Sequence, residues 1–213
     1  MFKPILSIYI PVYNHEKYIR KSLDSVIMQR TQYPFEVLIG DDCSTDRTRK
    51  ILEENNIPHI SLIQNLGIGG AVQTGYKYAY EHNYDVAVQY DGDGQHNIEY
   101  VKNIIEPIKN NEANMVIGSR FVKDIDTFKS SFERRIGIKV ISIFMKFATG
   151  KKIYDTTSGM RAVDRDLIYD FSISYSAENS FVLTGVATIL FRNLRYYHPP
   201  MQVVNAAGQI SEL

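Results

Sequence analysis

Only one cysteine, Cys43, stands in the 213 residues, so the chain has no disulfide framework of its own and no multi-cysteine zinc site. A reducing, cytoplasmic setting fits. Net charge is absent as well: 24 Lys plus Arg balance 24 Asp plus Glu, and no overall field draws the molecule toward nucleic acid. Long hydrophobic runs are missing. The longest candidates, 136–147 and 181–191, are short of the roughly 20 apolar residues that span a bilayer, or carry lysine. The opening Met1-Phe2-Lys3-Pro4 runs into Ile5–Val12, an apolar stretch broken by Ser7 and Pro11 and too short for an export signal. What remains, at 44% hydrophobic side chains, is enough for one substantial core, and a single domain over 1–213 is expected.

Apolar runs rich in β-branched residues alternate with segments of helical spacing, which predicts an α/β fold with a mostly parallel central sheet flanked by helices. Strands are expected at Ile5–Val12, Glu36–Gly40, His59–Ile63, Asp85–Tyr90 and Asn114–Ser119. A helix carrying Ile19, Leu23, Val26 and Ile27 takes Asn14 as its expected N-cap, and one carrying Ile98, Val101, Ile104 and Ile105 takes Asn97. Ser44, Thr45 and Asp46 signal the start of another helix. After Gly67, Gly69 and Gly70, the small residues Ala71, Gly75 and Ala79 recur every fourth position, a stripe suited to close approach of a second backbone. Later segments at 136–147, 164–171 and 178–193 read as helices, and Tyr196–Val204 as a strand interrupted by Pro199 and Pro200.

Asp91-Gly92-Asp93-Gly94-Gln95-His96 follows the fourth strand at its carboxyl end, where open α/β sheets place ligands. Two carboxylates one residue apart, with glycine between and after them, can face one hard cation. Mg²⁺ or Mn²⁺ takes one or two such oxygens and completes its shell with water and substrate phosphates, and His96 adds a nitrogen suited to Mn²⁺. Taken alone, the motif is an ordinary polar turn. An EF-hand is excluded, because the twelfth position from Asp91 is Lys102 rather than glutamate. Asn65-Leu66-Gly67-Ile68-Gly69-Gly70 can present backbone N–H groups to an anion, but Val72 stands where a dinucleotide fingerprint needs its third glycine, and no P-loop Gly-Lys-Ser/Thr follows.

In order, IPVYN at 10–14, GDDCSTD at 40–46, NLGIGGAVQTG at 65–75, QYDGDGQH at 89–96, VIGSRF at 116–121 and DTTSGMRA at 155–162 resemble family 2 glycosyltransferases, most of all the dolichol-phosphate mannosyltransferase type. The resemblance implies a GT-A fold, with residues 1–119 as the nucleotide-sugar half and 120–213 as the acceptor side. It implies an inverting, metal-dependent transfer from a UDP- or GDP-sugar to a polyprenyl phosphate or glycan hydroxyl. Pro11, Tyr13, Asn14 and Asp42 match the nucleoside motif, joined by Asn65 and Gly70 of the glycine segment. Asp91, Gly92 and Asp93 match the metal and diphosphate motif, with His96 as a further ligand. Arg120, Arg134 and Arg135 match basic residues that meet phosphates. Asp155, Ser158 and Arg161 fall on the acceptor side, and Glu178 stands where relatives carry a candidate base.

One departure is visible. Relatives carry an arginine shortly before a Gly-x-Ser element near their C-terminus, whereas Val204–Ser211 has none. A sugar nucleotidyltransferase and a nucleotide-sugar-binding protein with weakened turnover are therefore kept as alternatives. The basic apolar stretch 134–147 is read as a core helix first and as a peripheral membrane contact second.

Overall fold

The computed structural model describes residues 4–92, 97–118 and 158–174, with the backbone of 196–197. The described residues fall into two compact units. One holds those up to Tyr78 together with 171–174, and the other holds 79–92, 97–118, 158–170 and 196–197.

In the first unit, β1 (Leu6–Val12), β2 (Phe35–Asp41) and β3 (His59–Ser61) form a parallel sheet in that order. Parallel neighbours need a crossover, supplied here by α1 (Ile19–Ile27) and α2 (Thr48–Glu54). Val12, Ile39, Ile19, Leu23, Ile51 and Leu52 make the core between sheet and helices. In-register pairing runs from Leu6 opposite Phe35 to Val12 opposite Asp41, so the loops after β1 and β2 leave the sheet at the same end.

The helix α3 (Gly67–Glu81) starts on the glycine segment itself. Its small residues serve a different purpose from the one expected. The ring of Tyr9, from β1, occupies the space: a Cβ at Gly75 would lie 2.7 Å from Tyr9 Cδ1, and one at Gly40 on β2 would lie 1.8 Å from the Tyr9 hydroxyl. Tyr9 donates to the Ala71 carbonyl at 2.8 Å. Burial pushes its phenol above the ordinary range and the Asp42 carboxylate adds to this, outweighing a hydrogen bond with Thr74, so the donor keeps its proton. Ring and glycines together tie β1, β2 and α3.

In the second unit the strands are β4 (Val86–Gln89), β5 (Met115–Ile117), β6 (Arg161–Asp164) and β7 (Tyr196–Tyr197), ordered β4-β6-β5-β7. This sheet is mixed: β6 runs antiparallel to both β4 and β5, and β7 parallel to β5. Pattern reading missed β6 and began a helix at its last residue. Four residues are too few for a period-2 signal, and Asp164 does double duty, accepting from the Leu167 N–H at 3.0 Å to open α5 (Arg165–Ile173). On one sheet face Val86, Val88, Val116, Met160 and Ala162 pack with Ile104 and Ile108 of α4 (Tyr100–Lys109).

Neither expected asparagine cap holds. α1 is capped at Tyr18 and α4 at Glu99, both without a side-chain bond. Asn97 instead closes a local turn, accepting from the Glu99 N–H at 2.9 Å. The helices expected at 136–147 and 178–193, and strand beyond 197, lie outside the described residues. No described helix is long and apolar enough to cross a membrane.

Candidate functional site

At the carboxyl end of the first sheet, Asn14 joins the two loops that leave it. Its backbone is left-handed, with φ of 55°. Its N–H donates to Ser44 Oγ at 2.9 Å, and its Oδ1 accepts from the N–H groups of Thr45 at 2.8 Å and Asp46 at 3.3 Å. Asp46 binds back, accepting from the Glu16 N–H at 3.0 Å and the Thr48 N–H at 2.9 Å. Desolvation raises the Asp46 pKa, but the hydrogen bonds from Thr48 and Glu16 outweigh it and hold the carboxyl below its usual range. A lowered folded-state pKa means that this clamp contributes stability above the ordinary carboxyl range and loses it as pH falls through the lowered value.

Asn14→Ala removes the shared acceptor and places a Cβ-bearing residue with no compensating side chain in the left-handed region. It is expected to cost about 2 kcal/mol. Asn14→Asp, which keeps an acceptor and tolerates that backbone, is expected to stay near native. Urea unfolding with an unchanged slope separates the two, and equal midpoints for both variants would refute the clamp.

The two aspartates that end β2 divide their work. Asp41, 1% exposed, accepts from the Ser44 N–H at 3.1 Å and shapes the turn in which Cys43 sits at φ 61°. Asp42, 3% exposed, accepts from the Leu66 N–H at 2.7 Å through Oδ1 and so fixes the segment that enters α3. Its second oxygen accepts nothing among the described residues. The turn role beside Ser44 therefore belongs to Asp41, and the second oxygen of Asp42 has the chemistry to accept from an N–H donor. Pro11 pairs in register with Gly40 and is exposed, as is Tyr13. Asn65 accepts from the Gly67 N–H at 3.0 Å, and Gly70 has no room for a side chain because its Cβ would lie 2.2 Å from Leu66 Cβ.

In the second unit, Asp91 and Gly92 follow β4 and are exposed. Gln89 pairs with Arg161, so the same antiparallel register, carried on by two residues, sets Asp91 opposite Gly159. The side chain obeys that register: a Cβ at Gly159 would fall 1.6 Å from Asp91 Oδ2 and 2.2 Å from its Cγ. Gly159 is a seat for the carboxylate. The motif reading passed over it, though a glycine inside a strand-like segment is the ordinary mark of close approach. Ser158 is buried with its Oγ 3.3 Å from the Met160 N–H, and buried Arg161 donates from Nη2 to the Ser158 carbonyl at 2.8 Å. Both therefore shape the loop that carries Gly159.

Asp93, His96, Arg120, Arg134, Arg135, Asp155 and Glu178 lie outside the described residues. Among the described residues no three His, Cys, Asp or Glu side chains gather around one point. An exposed carboxylate lying over a glycine at a strand end suits a hard cation that draws the rest of its shell from phosphate and water, so Asp91 fits Mg²⁺ or Mn²⁺.

A family model described as Glycosyl transferase family 2 matches residues 7–171. The UDP-N-acetylglucosamine–dolichyl-phosphate N-acetylglucosaminyltransferase of Methanococcus voltae is 32% identical over 186 residues, 79% of this chain and 72% of that protein. The undecaprenyl-phosphate mannosyltransferase of Micrococcus luteus is 27% identical over 159 residues, 68% of this chain and 65% of that protein. Among solved structures, the mannosyltransferase PcManGT from Pyrobaculum calidifontis, in complex with GDP-Man and Mn²⁺, aligns with a TM-score of 0.55 at 18% identity, over 94% of this chain and 56% of that one. At that identity the likeness is one of fold, and the chain spans little more than half of that structure's length.

Proposed function

The chain belongs to glycosyl transferase family 2 and has a GT-A type α/β fold, and from that premise we propose that it transfers a sugar from a nucleotide diphosphate to a polyprenyl phosphate. The observation that carries the reading is the seat of Asp91 on Gly159, which places a carboxylate at the carboxyl end of β4 inside the matched span. Similarity to enzymes named for dolichyl- and undecaprenyl-phosphate acceptors supports the choice of acceptor.

Asp42 takes the nucleoside through its unpartnered oxygen, beside Pro11, Tyr13, Asn14, Asn65 and Gly70. Asp91 and Asp93, with His96, hold Mn²⁺ or Mg²⁺. Bound there, the metal supplies positive charge against the departing diphosphate. Arg120 serves the same diphosphate, and Arg134 and Arg135 serve the acceptor phosphate. A phosphate oxygen of the acceptor forms its bond to the anomeric carbon as the bond to the diphosphate breaks on the opposite face, which inverts the centre. A polyprenyl phosphate arrives already anionic, so Glu178 is needed as a base only for a hydroxyl acceptor. Asp155, Ser158 and Arg161 belong to the acceptor side. We place the enzyme in the cytoplasm, where a polyprenyl phosphate acceptor would bring it to the inner face of the membrane.

The test is a panel of GDP- and UDP-sugars with Mn²⁺ or Mg²⁺, with and without polyprenyl phosphate. Nucleoside diphosphate release that depends on the lipid phosphate is expected. Pyrophosphate release would assign the chain to nucleotidyl transfer instead, and donor binding without any release would leave it a binding protein.

A further inference from the structure

Beside Asp91, the second sheet carries a polar group for which neither fold nor motif accounts. Gln89 is the last residue of β4 and lies in register with Arg161. Strand alternation puts Gln89, Arg161, Asp91 and Gly159 on one face, because Tyr90 and Met160, between them, join the core cluster on the other, as do the flanking Val88 and Ala162. The amide oxygen of Gln89 is buried and has no hydrogen-bond partner among the described residues. Buried carbonyl oxygens are bonded in the great majority of cases, and one left bare destabilises the fold that holds it. Leaving this oxygen bare works against stability.

We propose that Gln89 determines donor specificity: its amide oxygen accepts a hydrogen bond from a hydroxyl of the transferred sugar. This rests on the reading of the chain as a nucleotide-sugar transferase. Two residues along a strand advance about 6.8 Å, which suits a sugar whose diphosphate is held at Asp91. Dry surroundings make such a bond selective, because a sugar lacking the hydroxyl leaves the acceptor bare again. Gln89 is thus the position at which stability is given up for recognition.

The experiment compares binding of GDP-mannose with GDP, and of UDP-N-acetylglucosamine with UDP, by the full chain in Mn²⁺, for the native protein, Gln89→Leu and Gln89→Met. Both variants are expected to melt higher by about 2–4 °C. They are expected to bind the preferred nucleotide sugar about tenfold more weakly and its nucleoside diphosphate with unchanged affinity. Gln89→Glu, which keeps an acceptor, is expected to hold the nucleotide sugar better than either. Native affinity for the nucleotide sugar in the apolar variants, or an equal loss for sugar nucleotide and nucleoside diphosphate, would overturn the proposal while leaving the transferase reading in place. A native chain that binds neither GDP nor UDP would remove that reading itself, and Gln89's role with it.

Discussion

Replacing Gly159 with alanine is expected to cut nucleoside diphosphate release by about a hundredfold or more while lowering the melting temperature only slightly. The new Cβ would sit 1.6 Å from Asp91 Oδ2 and 2.7 Å from its Oδ1. Because Asp91 is exposed, its carboxylate can swing away at small cost to the fold. A displacement on the order of 1 Å in a positioning group is enough for a hundredfold loss of rate. Asp91→Asn, which weakens the metal ligand without moving it, is expected to be comparably inactive, and adding Gly159→Ala to it should change nothing further, since both lesions strike one carboxylate. Near-native release by Gly159→Ala, or losses that multiply in the double variant, would show that the seat has no part in the reaction.

The second large effect concerns the Tyr9 wedge, and its sign depends on the background. Gly→Ala inside a helix ordinarily stabilises by about 1 kcal/mol. At Gly75 the added methyl would meet the Tyr9 ring at 2.7 Å, 3.0 Å and 3.3 Å, so Gly75→Ala is expected to destabilise by about 1–3 kcal/mol. Gly40→Ala should cost at least as much, because its methyl would overlap both the hydroxyl, at 1.8 Å, and the ring carbon that bears it, at 2.3 Å. With Tyr9→Ala already present, the same Gly75→Ala is expected to turn stabilising. Urea midpoints of the four proteins in the cycle decide it; a Gly75→Ala effect of the same sign in both backgrounds would deny the wedge.

What the sequence made legible was local. β1 and β2 are β-branched runs whose pattern survives a boundary error of one residue, and the acidic motif was placed by the strand before it. What stayed hidden was set by partners distant in the chain. Asn14 has the position of a helix cap, yet its carbonyl is taken by Thr45 and Asp46, because that tether satisfies two N–H groups of a tight turn. The small stripe of α3 announced close packing but not that an aromatic ring would fill it. Gly159 is one glycine in a motif until the register of β4 and β6 sets Asp91 across from it. Gln89 looked like an ordinary strand residue, since whether an amide is satisfied is decided only in three dimensions.

The place of β6 also bears on how the chain comes off the ribosome. The first sheet takes its strands in the order of synthesis, so each can pair as it emerges. In the second, among the described residues, β4 and β5 do not pair directly and are joined through β6, made some 40 residues after β5. Until Arg161–Asp164 has left the exit tunnel, β4 and β5 each lack the neighbour that pairs with them, and among the described residues they pack on α4. Nascent chains stalled between Ile117 and Arg161 should therefore carry a protease-resistant N-terminal sheet next to a sensitive, chaperone-dependent segment, and late closure by a non-local strand should set the pace of refolding.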